Sequence, residues 1–352
     1  MASFIEVKRF ADISLTNPFF DSLKEDYGQF ESWFRGKSSE SAYVQYSDDK
    51  LVGFMYLKPE DSEIADVAPP LPAARRIKIG TFKVEAHGTK LGERLLKKAF
   101  DKAVVEQVCE IYVTIFPKHN LLIGLLEEFG FRQVGTKSTS DGVEQVFLKN
   151  IDREHLVGDI KKDYPMINLR GSKPYILSIW PEWHSKLFPD SILRTESYDL
   201  LSDISHTNSI SKTYVCSMTG VDVLKRGDIL AIYRTSDSPG QAEYRSVITS
   251  ICTVEDIRPK ASFADCGSYI SYTEPYSVFN EQKLRELWNS TGNLFVIKML
   301  YNAAFTKRII RRMLIEDVGL QRDIYWGFVQ LNVDQLMDIM NRGGVDGRLI
   351  ID

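Results

Sequence analysis

The segment 75–105 constrains the fold of this chain more than any other. "RRIKIGTFKV" reads as a strand and "LGERLLKKAFDKAVVEQ" as an amphipathic helix, and the turn between them carries Gly88, with Gly92 at the start of the helix. Such a turn presents unpaired backbone N–H groups at the positive end of the helix dipole. It therefore predicts a diphosphate site, to which Thr89 adds a hydroxyl and Lys90 a charge. The alternative is an ordinary strand-to-helix connection.

Strand-like and helix-like segments alternate through the first 150 residues. Their order is strand, helix, two strands, strand, helix, strand, helix and strand. A strand-rich start followed by a βαβ arrangement predicts an α/β (α+β) fold with a mixed sheet, over residues 1–150.

The character of the sequence changes after residue 150. The segment 151–170 is charged, weakly periodic and contains a proline, which predicts a linker or a connecting helix. From 171 to 352, short β-type runs such as "KTYVCSM" and "GDILAIYRT" alternate with turn residues and a few helical segments. This pattern predicts a second domain, a small and partly closed β-barrel with helices.

Composition excludes some classes of partner. The 352 residues are 43% hydrophobic and 26% charged with a net charge of −4, so a polyanion would need a local basic patch. The four cysteines are far apart and predict neither a disulfide framework nor a metal site. The chain shows no signal-peptide pattern and no apolar run near the ~20 residues that span a bilayer, which predicts a cytoplasmic protein without membrane contact.

Two motifs of the first domain resemble a known family. "KIGTFKVEAHGTKLGERLL" is similar to the acetyl-CoA-binding strand, loop and helix of the GNAT acetyltransferases, whose loop has the form Arg/Gln-x-x-Gly-x-Gly/Ala. His87 stands at the Arg/Gln position, Lys90 at the first glycine position and Gly92 at the last, and the loop from Val84 to His87 is shorter than the commonest version.

The second motif follows in the expected order, after the strand-like "CEIYVTIF". "HNLLIGLLEEFGFRQVG" resembles the family's Asn-x-x-x-x-Leu-Tyr-Glu-Lys-x-Gly-Phe helix and turn. The matching residues are Asn120, Leu125, Glu127, Gly130 and Phe131. Two motifs at the proper separation imply a GNAT fold over residues 1–150.

The resemblance implies acetyl-CoA as the cofactor. Its pantetheine would bind main-chain groups near 81–84, its diphosphate would lie on 87–93, and Asn120 would lie beside the thioester. A neutral amine would attack the thioester carbonyl, so a group must remove a proton from the amine and the thiolate must leave. The residues assigned to the cofactor are Phe82, Lys83, Val84, His87, Gly88, Thr89, Lys90, Leu91, Gly92, Glu93 and Asn120.

The family's tyrosine acid is replaced by Leu126, which cannot donate a proton. Glu85, Tyr112 and His119 are the candidate catalytic residues, with Thr114 and Glu144 as further candidates. Alternatives are that His119 precedes a helix as a cap and that Glu85 faces solvent. Catalysis by positioning alone, or a domain that binds the cofactor without turnover, is also compatible with the pattern.

The second half has a weaker resemblance. "KRGDILAIYRT", placed between "KTYVCSM" and "YRSVITSICTVEDI", is similar to the PUA-like superfamily, including ASCH-type domains, which implies association with RNA. "FTKRIIRRM" predicts a helix with four basic residues on one side that contact phosphates, or alternatively a solvated helix face. Its basic residues are Lys307, Arg308, Arg311 and Arg312.

The motif "IWPEWH" adds aromatic side chains to this half. Trp180, Trp183 and His184 are candidates for stacking on a base, and the alternative is that they belong to the core.

The sequence thus predicts an acetyl-CoA-dependent N-acetyltransferase whose acceptor, an RNA or an RNA-associated molecule, is selected by the second domain. One alternative is an RNA-binding or regulatory protein that uses acetyl-CoA as a structural or sensory ligand. Another is acetylation of a partner protein or a small amine, with the second domain as an interaction module.

Overall fold

A computed structural model describes residues 5–85, 90–189, 209–290 and 292–352 of the chain. It divides into two compact units, Met1–Asp163 and Tyr164–Asp352. The domain boundaries at 150 and 170, with a linker between them, stay predictions from the sequence.

The first unit contains seven strands and four helices within its described residues. The single helix predicted after the first strand is two short helices, and the predicted final strand is preceded by another, β6, which the sequence did not indicate. In chain order the elements are β1 (Ile5–Arg9), α1 (Asp21–Asp26), α2 (Phe30–Gly36), β2 (Ser41–Ser47), β3 (Lys50–Glu60), β4 (Arg76–Val84), α3 (Leu91–Val105), β5 (Glu110–Ile115), α4 (Asn120–Glu128), β6 (Arg132–Thr139) and β7 (Gly142–Asn150).

The seven strands form one sheet in the order β1-β2-β3-β4-β5-β7-β6. β4 and β5 are parallel, and the other neighbouring strands are antiparallel. A parallel pair needs a crossover connection, which α3 supplies. The predicted α/β fold with a mixed sheet is confirmed.

Aromatic side chains pack the region of α1 and α2 on the sheet. The Phe54 ring of β3 lies 5.4 Å from the ring of Phe20, the residue before α1, and 6.1 Å from the ring of Phe34 in α2, measured between centroids. α3 buries Leu95 and Leu96 completely. Burial of this kind contributes about 1.5–3 kcal/mol per large apolar side chain, so it fixes the helices that flank β4.

The second unit is a second mixed arrangement of strands and helices. Its described elements are β8 (Ile167–Asn168), β9 (Pro174–Ile179), α5 (Pro181–Leu187), β10 (Ser211–Cys216), β11 (Ile229–Arg234), α6 (Ala242–Arg245), β12 (Val247–Pro259), α7 (Cys266–Thr273), α8 (Glu281–Asn289), β13 (Phe295–Ile310), α9 (Arg311–Glu316), β14 (Phe328–Gln330), α10 (Val333–Gly343) and β15 (Ile350–Ile351).

Six of these strands form a sheet in the order β10-β13-β12-β11-β9-β14, and β8 pairs with β15. Helices cover both faces: Leu187, Tyr269 and Leu284 pack on one face, and Leu336 and Ile339 on the other. The end strands β10 and β14 do not pair with each other in the part of the unit that the structure describes. The partly closed barrel expected here is therefore an open mixed sheet in these residues.

The helix predicted for "FTKRIIRRM" is wrong in its first half. β13 continues to Ile310, so Lys307 and Arg308 lie in a strand. Ser250 pairs with Ala304, and Ile248 pairs with Ile309. Two positions along β12 therefore correspond to five along β13, which marks a bulge in β13. This bulge makes buried Phe305 and Ile309 recur at a spacing of four, which imitates the period of a helix.

Candidate functional site

β4 and β5 separate part of the way along their length. Their parallel register holds for four residue pairs, from Arg76–Glu110 to Ile79–Val113. β3, by contrast, pairs with β4 as far as Val84. Within 5–85 and 90–163, the stretch 80–84 of β4 therefore has a strand partner on one edge, and its other edge faces the gap between β4 and β5.

A β-bulge at Gly80 marks the point of separation. Tyr56 pairs with Thr81 and Leu57 with Ile79, so Gly80 is the extra residue on β4. A Cβ atom on Gly80 would lie 2.7 Å from Cδ1 of Tyr56, so a side chain at this position would force the Tyr56 ring to move. Bulges bend a strand and end its pairing, so this glycine directs 80–84 away from β5.

An ion pair holds the two strands together where they are still paired. The Arg76 side chain is buried, and its Nη2 lies 2.8 Å from Oε2 of Glu110 and donates at 2.8 Å to the carbonyl of Pro72. A buried guanidinium needs such partners, because an unpaired charge in the interior is costly.

Two of the predicted cofactor residues at the start of α3 have buried side chains. Leu91 packs on β3, where a Cβ on Gly53 would lie 2.9 Å from Leu91 Cδ2, and Glu93 is also buried. A ligand can therefore meet these two residues through their backbone. Lys90 stands directly before the helix, and a Cβ on Gly92 would lie 3.0 Å from Leu125. His87, Gly88 and Thr89 lie outside the described residues.

The remaining β4 candidates differ in their surroundings. Phe82 is buried and Val84 ends the strand half-buried. Lys83 directs its ammonium towards α1: it donates to the Phe19 carbonyl and, at 2.7 Å, to Ser22 Oγ. Glu85 is exposed and its Oε1 lies 2.9 Å from Lys83 Nζ, so this carboxylate lies on the surface with a cationic partner.

The hydroxyl of Tyr112 forms a hydrogen bond with another carboxylate, that of Glu60. It donates a hydrogen bond to Glu60, and Tyr112 is almost fully buried. Burial and the negative charge of Glu60 raise the pKa of Tyr112 above its ordinary value. Burial also lowers the pKa of the neighbouring Lys78, whose Nζ lies 5.4 Å from the centre of the Tyr112 ring.

A second carboxylate lies at the end of the sheet where β4 and β5 separate. Glu144 directly precedes Gln145, the partner of the last β5 residue, Ile115. Glu144 is 4% exposed, and the hydroxyl of Tyr27, between α1 and α2, donates to its Oε1 at 2.9 Å. Burial and the Glu144 carboxylate raise the pKa of Tyr27, which therefore remains a donor. The Tyr27 ring packs on Phe116 at 5.1 Å.

Further contacts fix the α1–α2 connection at this position. The backbone N–H of Gly28 donates to Asp141 Oδ1 at 3.2 Å, which ties the connection to the β6–β7 hairpin. His119 Nε2 lies 3.2 Å from Asp26 Oδ2, and Lys118 contacts the same carboxylate. His119 therefore has an aspartate partner beside the end of β5.

Asn120 is the first residue of α4 and is exposed, immediately after His119. Leu126, which replaces the tyrosine of the family motif, is fully buried. The sequence indicates Glu144 as a candidate but does not indicate its partner Tyr27. The signal in "GVEQVFLKN" is that Glu144 shares a strand face with the buried Val146.

The basic residues of the second unit belong to two elements. Arg311 and Arg312 begin α9, after Lys307 and Arg308 in β13. Arg312 Nε lies 2.8 Å from Glu316 Oε2. Their assignment to nucleic acid stays a prediction.

The aromatic candidates in "IWPEWH" have different environments. His184 is fully buried and Trp183 packs on Phe279 with 4.6 Å between ring centroids, which agrees with the core alternative for these two. Trp180 is exposed.

None of the helices in the described residues combines the length and the apolar character needed to cross a bilayer. The same residues contain no cluster of three or more His, Cys, Asp or Glu side chains that could hold a metal ion.

Part of the chain is similar to a known protein family. Residues 7–131 match the model of the acetyltransferase (GNAT) family. No curated protein matches the chain.

Solved structures resemble parts of the chain. ASCH from Zymomonas mobilis is 11% identical over 48% of this chain and 94% of its own, with a TM-score of 0.33. The IAA acetyltransferase from Bacillus cereus is 14% identical over 42% of this chain and 99% of its own, with a TM-score of 0.31. Arabidopsis thaliana Naa50, in complex with a bisubstrate analogue, is 19% identical over 41% of this chain and 97% of its own, with a TM-score of 0.30.

Proposed function

Because residues 7–131 form a domain of the acetyltransferase (GNAT) family, which uses acetyl-CoA, we propose that this chain transfers the acetyl group of acetyl-CoA to an amine. The observation that carries the proposal is the open edge of β4 at 80–84, at the same end of the sheet as the Tyr27–Glu144 pair.

The open edge fits the amide-bearing arm of the cofactor. Strand backbone without a partner on one side offers N–H and C=O groups in the geometry that an extended amide chain can pair with. The N-terminus of α3 adds the positive end of a fifteen-residue helix, which suits a diphosphate. When bound, acetyl-CoA supplies an electrophilic thioester carbonyl and a thiolate leaving group.

Glu144 is the general base of this proposal. With acetyl-CoA and an amine bound, Glu144 would accept the proton that the acceptor nitrogen loses as its bond to the acetyl carbon forms and the C–S bond breaks. Glu144 would then release this proton to solvent, from which the thiolate would take up a proton. The products are an amide and the free thiol of CoA, which balances the reaction. Tyr27 is a positioning residue, because it holds Oε1 of Glu144 through a hydroxyl that stays protonated.

The other candidates have weaker support as bases. Glu85 is exposed and paired with Lys83, and Tyr112 is held by Glu60. His119 lies at the same end of β5 with Asp26 as its partner, which suits contact with the acceptor or an alternative proton path. Asn120 follows it at the start of α4, where an exposed amide can contact the thioester end.

The acceptor of the proposal is an amine carried by RNA or by an RNA-associated molecule, which the second unit selects. The support is an exposed tryptophan, Trp180, and arginines on that unit. Acetylation of a partner protein or of a small amine remains the competing outcome.

A second candidate function is favoured by Leu126. This fully buried leucine stands where the family motif has its tyrosine acid, so the site lacks that proton donor. Acetyl-CoA would then serve as a structural or sensory ligand without turnover.

One experiment separates these functions. The full chain is incubated with radiolabelled acetyl-CoA and with cellular RNA, protein or small-amine fractions, while calorimetry measures cofactor binding. The proposal predicts labelled RNA, loss of labelling in Glu144→Gln, and unchanged labelling in the matched control Glu85→Gln. Binding without label in any fraction would establish the sensory alternative, and label in protein or small amines would overturn the RNA acceptor.

A further inference from the structure

The two faces of β4 differ in polarity. Ile77, Ile79 and Phe82 are buried on one face. Paired residues of neighbouring strands share a face of the sheet, so the other face of β4 continues the face of Phe54 and Tyr56 in β3, which α1 and α2 cover. On this second face β4 carries a polar strip, which consists of Arg76, Lys78, Thr81 and Lys83.

Two apolar clusters lie on this face of the sheet, one on each side of β4. The first is formed by side chains of α1, α2, β2 and β3. In the second, the β3–β4 connection, residues 61–75, packs Ile64 and Leu71 against Tyr112 of β5 and Val146 of β7. Over the part of the unit that the structure describes, neither cluster includes a β4 side chain, so the polar strip lies between them.

Lys78 lies in the middle of this strip without a partner for its charge. Lys58 of β3 stands directly opposite it. Lys58 Nζ pairs with Glu60 at 3.0 Å, and Lys137 Nζ pairs with Asp66 at 2.6 Å. Lys78 Nζ has neither a hydrogen-bond acceptor nor an ion-pair partner among the described residues.

The charges around Lys78 leave one positive charge unmatched. Three ammonium groups, including that of Lys78, and two carboxylates interact at this position. Lys78 is half-buried, and an ammonium group that is withdrawn from water needs an anionic partner. Like charges directly opposite each other in a sheet are also destabilising. The free protein therefore carries an energetic cost here that a bound anion would remove.

The strip connects Lys78 with the end of the sheet that carries the proposed base. It continues through Thr81 to the open edge of β4. Tyr112, the β5 neighbour of Lys78, pairs with Leu148, and Glu144 lies four residues further along β7 on the same face. At roughly 3.3 Å per residue, Lys78 and Glu144 are about 13 Å apart along the strands. An acceptor whose amine meets Glu144 can therefore extend a second group towards Lys78.

We infer that Lys78 is a specificity-determining residue, which binds an anionic group, a phosphate or a carboxylate, that the acceptor carries away from its reacting amine. The inference rests on the proposed acetyl transfer and concerns the first unit alone. An amine without an anionic group would leave the Lys78 charge unmatched and bind more weakly.

Calorimetry with matched amines tests this inference. The full chain is mixed with excess CoA, which permits no turnover, and titrated with aminohexanoate, aminohexyl phosphate or the uncharged aminohexanol. The two anionic amines should bind about tenfold more tightly than aminohexanol, because contacts between charged groups are stronger than neutral ones. The tighter of the two anionic amines identifies phosphate or carboxylate as the recognised group.

Charge variants attribute the preference to one side chain. Lys78→Met retains the apolar stem without the charge, so it should bind the three amines with equal affinity. Lys78→Glu should reverse the preference and bind diaminohexane more tightly than aminohexanoate. Lys102→Met is the matched control, because Lys102 is also half-buried but pairs with Glu106, and it should keep the wild-type preference.

The stability of the free protein provides a readout without any ligand. Because Lys78→Met removes an unmatched, half-buried charge, its midpoint of urea unfolding should equal or exceed that of the wild type. A lower midpoint would show that the fold itself compensates this charge, which contradicts the inference.

Three binding results would overturn the inference: equal affinity of the wild type for charged and uncharged amines, no binding of any of them, or an anion preference that survives in Lys78→Met. Acetyl transfer is measured separately, as release of CoA from acetyl-CoA. Absence of transfer, together with anion binding that depends on Lys78, would count against the proposed function alone. Transfer without any preference for anionic amines would exclude the role of Lys78 and leave the proposed function intact.

Discussion

The hydroxyl of Tyr27 donates a 2.9 Å hydrogen bond to Oε1 of Glu144, 117 positions further along the chain. The contact joins the α1–α2 connection to β7 beside the end of β5, where β4 has already separated. A buried carboxylate that accepts a hydrogen bond from a tyrosine with a raised pKa has a fixed position and a donor that does not ionise.

Replacing Glu144, the proposed base, should affect turnover rather than cofactor binding. Glu144→Gln keeps the shape of the side chain but cannot accept a proton, so kcat is expected to fall about 10²- to 10³-fold in steady-state assays. The dissociation constant of acetyl-CoA should not change in calorimetry. Near-normal kcat in this variant would remove Glu144 from the mechanism.

Removing the tyrosine hydroxyl should lower turnover. In Tyr27→Phe the Oε1 atom of Glu144 loses the hydroxyl that holds it in place, so kcat is expected to fall about tenfold at neutral pH in steady-state assays. The dissociation constant of acetyl-CoA should not change in calorimetry. A wild-type kcat in this variant would show that the hydrogen bond to Glu144 does not matter for turnover.

The bulge glycine should tolerate no side chain. In Gly80→Ala the new methyl group meets the Tyr56 ring, which costs about 1–3 kcal/mol of unfolding free energy and displaces the open edge of β4. Urea unfolding and acetyl-CoA calorimetry should both show the change. Gly36→Ala is the matched control, because nothing lies within 4 Å of its Cβ position, and equal effects in the two variants would contradict this account.

The ion pair between Arg76 and Glu110, which joins the paired parts of β4 and β5, should stabilise the first unit. Glu110→Gln leaves the buried Arg76 guanidinium without its carboxylate and is expected to lower the unfolding free energy by about 3 kcal/mol. The comparison is Glu106→Gln, which breaks a more exposed pair with Lys102 and should cost less than about 1 kcal/mol. Similar losses in both variants would show that burial of Arg76 is unimportant.

His184 should make the second unit sensitive to acid. Complete burial, with the positive charges of Arg234 and Arg308, lowers the pKa of His184 to about 3. Between that pKa and the ordinary value of about 6.5 the unfolded chain binds one proton more than the folded chain. Stability should therefore be constant above pH 6.5 and fall on acidification, by about 2 kcal/mol between pH 6.5 and 5.

Urea unfolding followed by tryptophan fluorescence measures this loss, since four of the five tryptophans lie in the second unit. His184→Gln should reduce the slope of unfolding free energy against pH by one proton, whatever its effect on stability at pH 7. An unchanged slope would show that another group causes the acid sensitivity.

Local patterns predicted the elements that have one buried face. β4, α3, β5 and α4 follow directly from apolar periodicity, and their order indicated the mixed sheet. β6 was missed because it lies at the edge of the sheet, where mostly polar residues leave no alternation to detect.

The site was less accessible to sequence reasoning. The bulge in β13 gave a strand the apolar spacing of a helix, which misplaced Lys307 and Arg308. The Tyr27–Glu144 pair depends on contacts across the whole first unit, and no short-range pattern encodes them. The separation of β4 from β5 depends on Gly80, whose role becomes visible only through the bulge and the nearby ring of Tyr56.

The free edge of β4 leaves the seven-stranded sheet without a strand partner at 80–84 on the β5 side. An extended molecule bound at 80–84 would act as a detachable segment of sheet, and the amide protons there would be shielded from exchange with deuterated water while it remained in place. Binding of acetyl-CoA would then make this part of the protein more rigid before any acceptor binds.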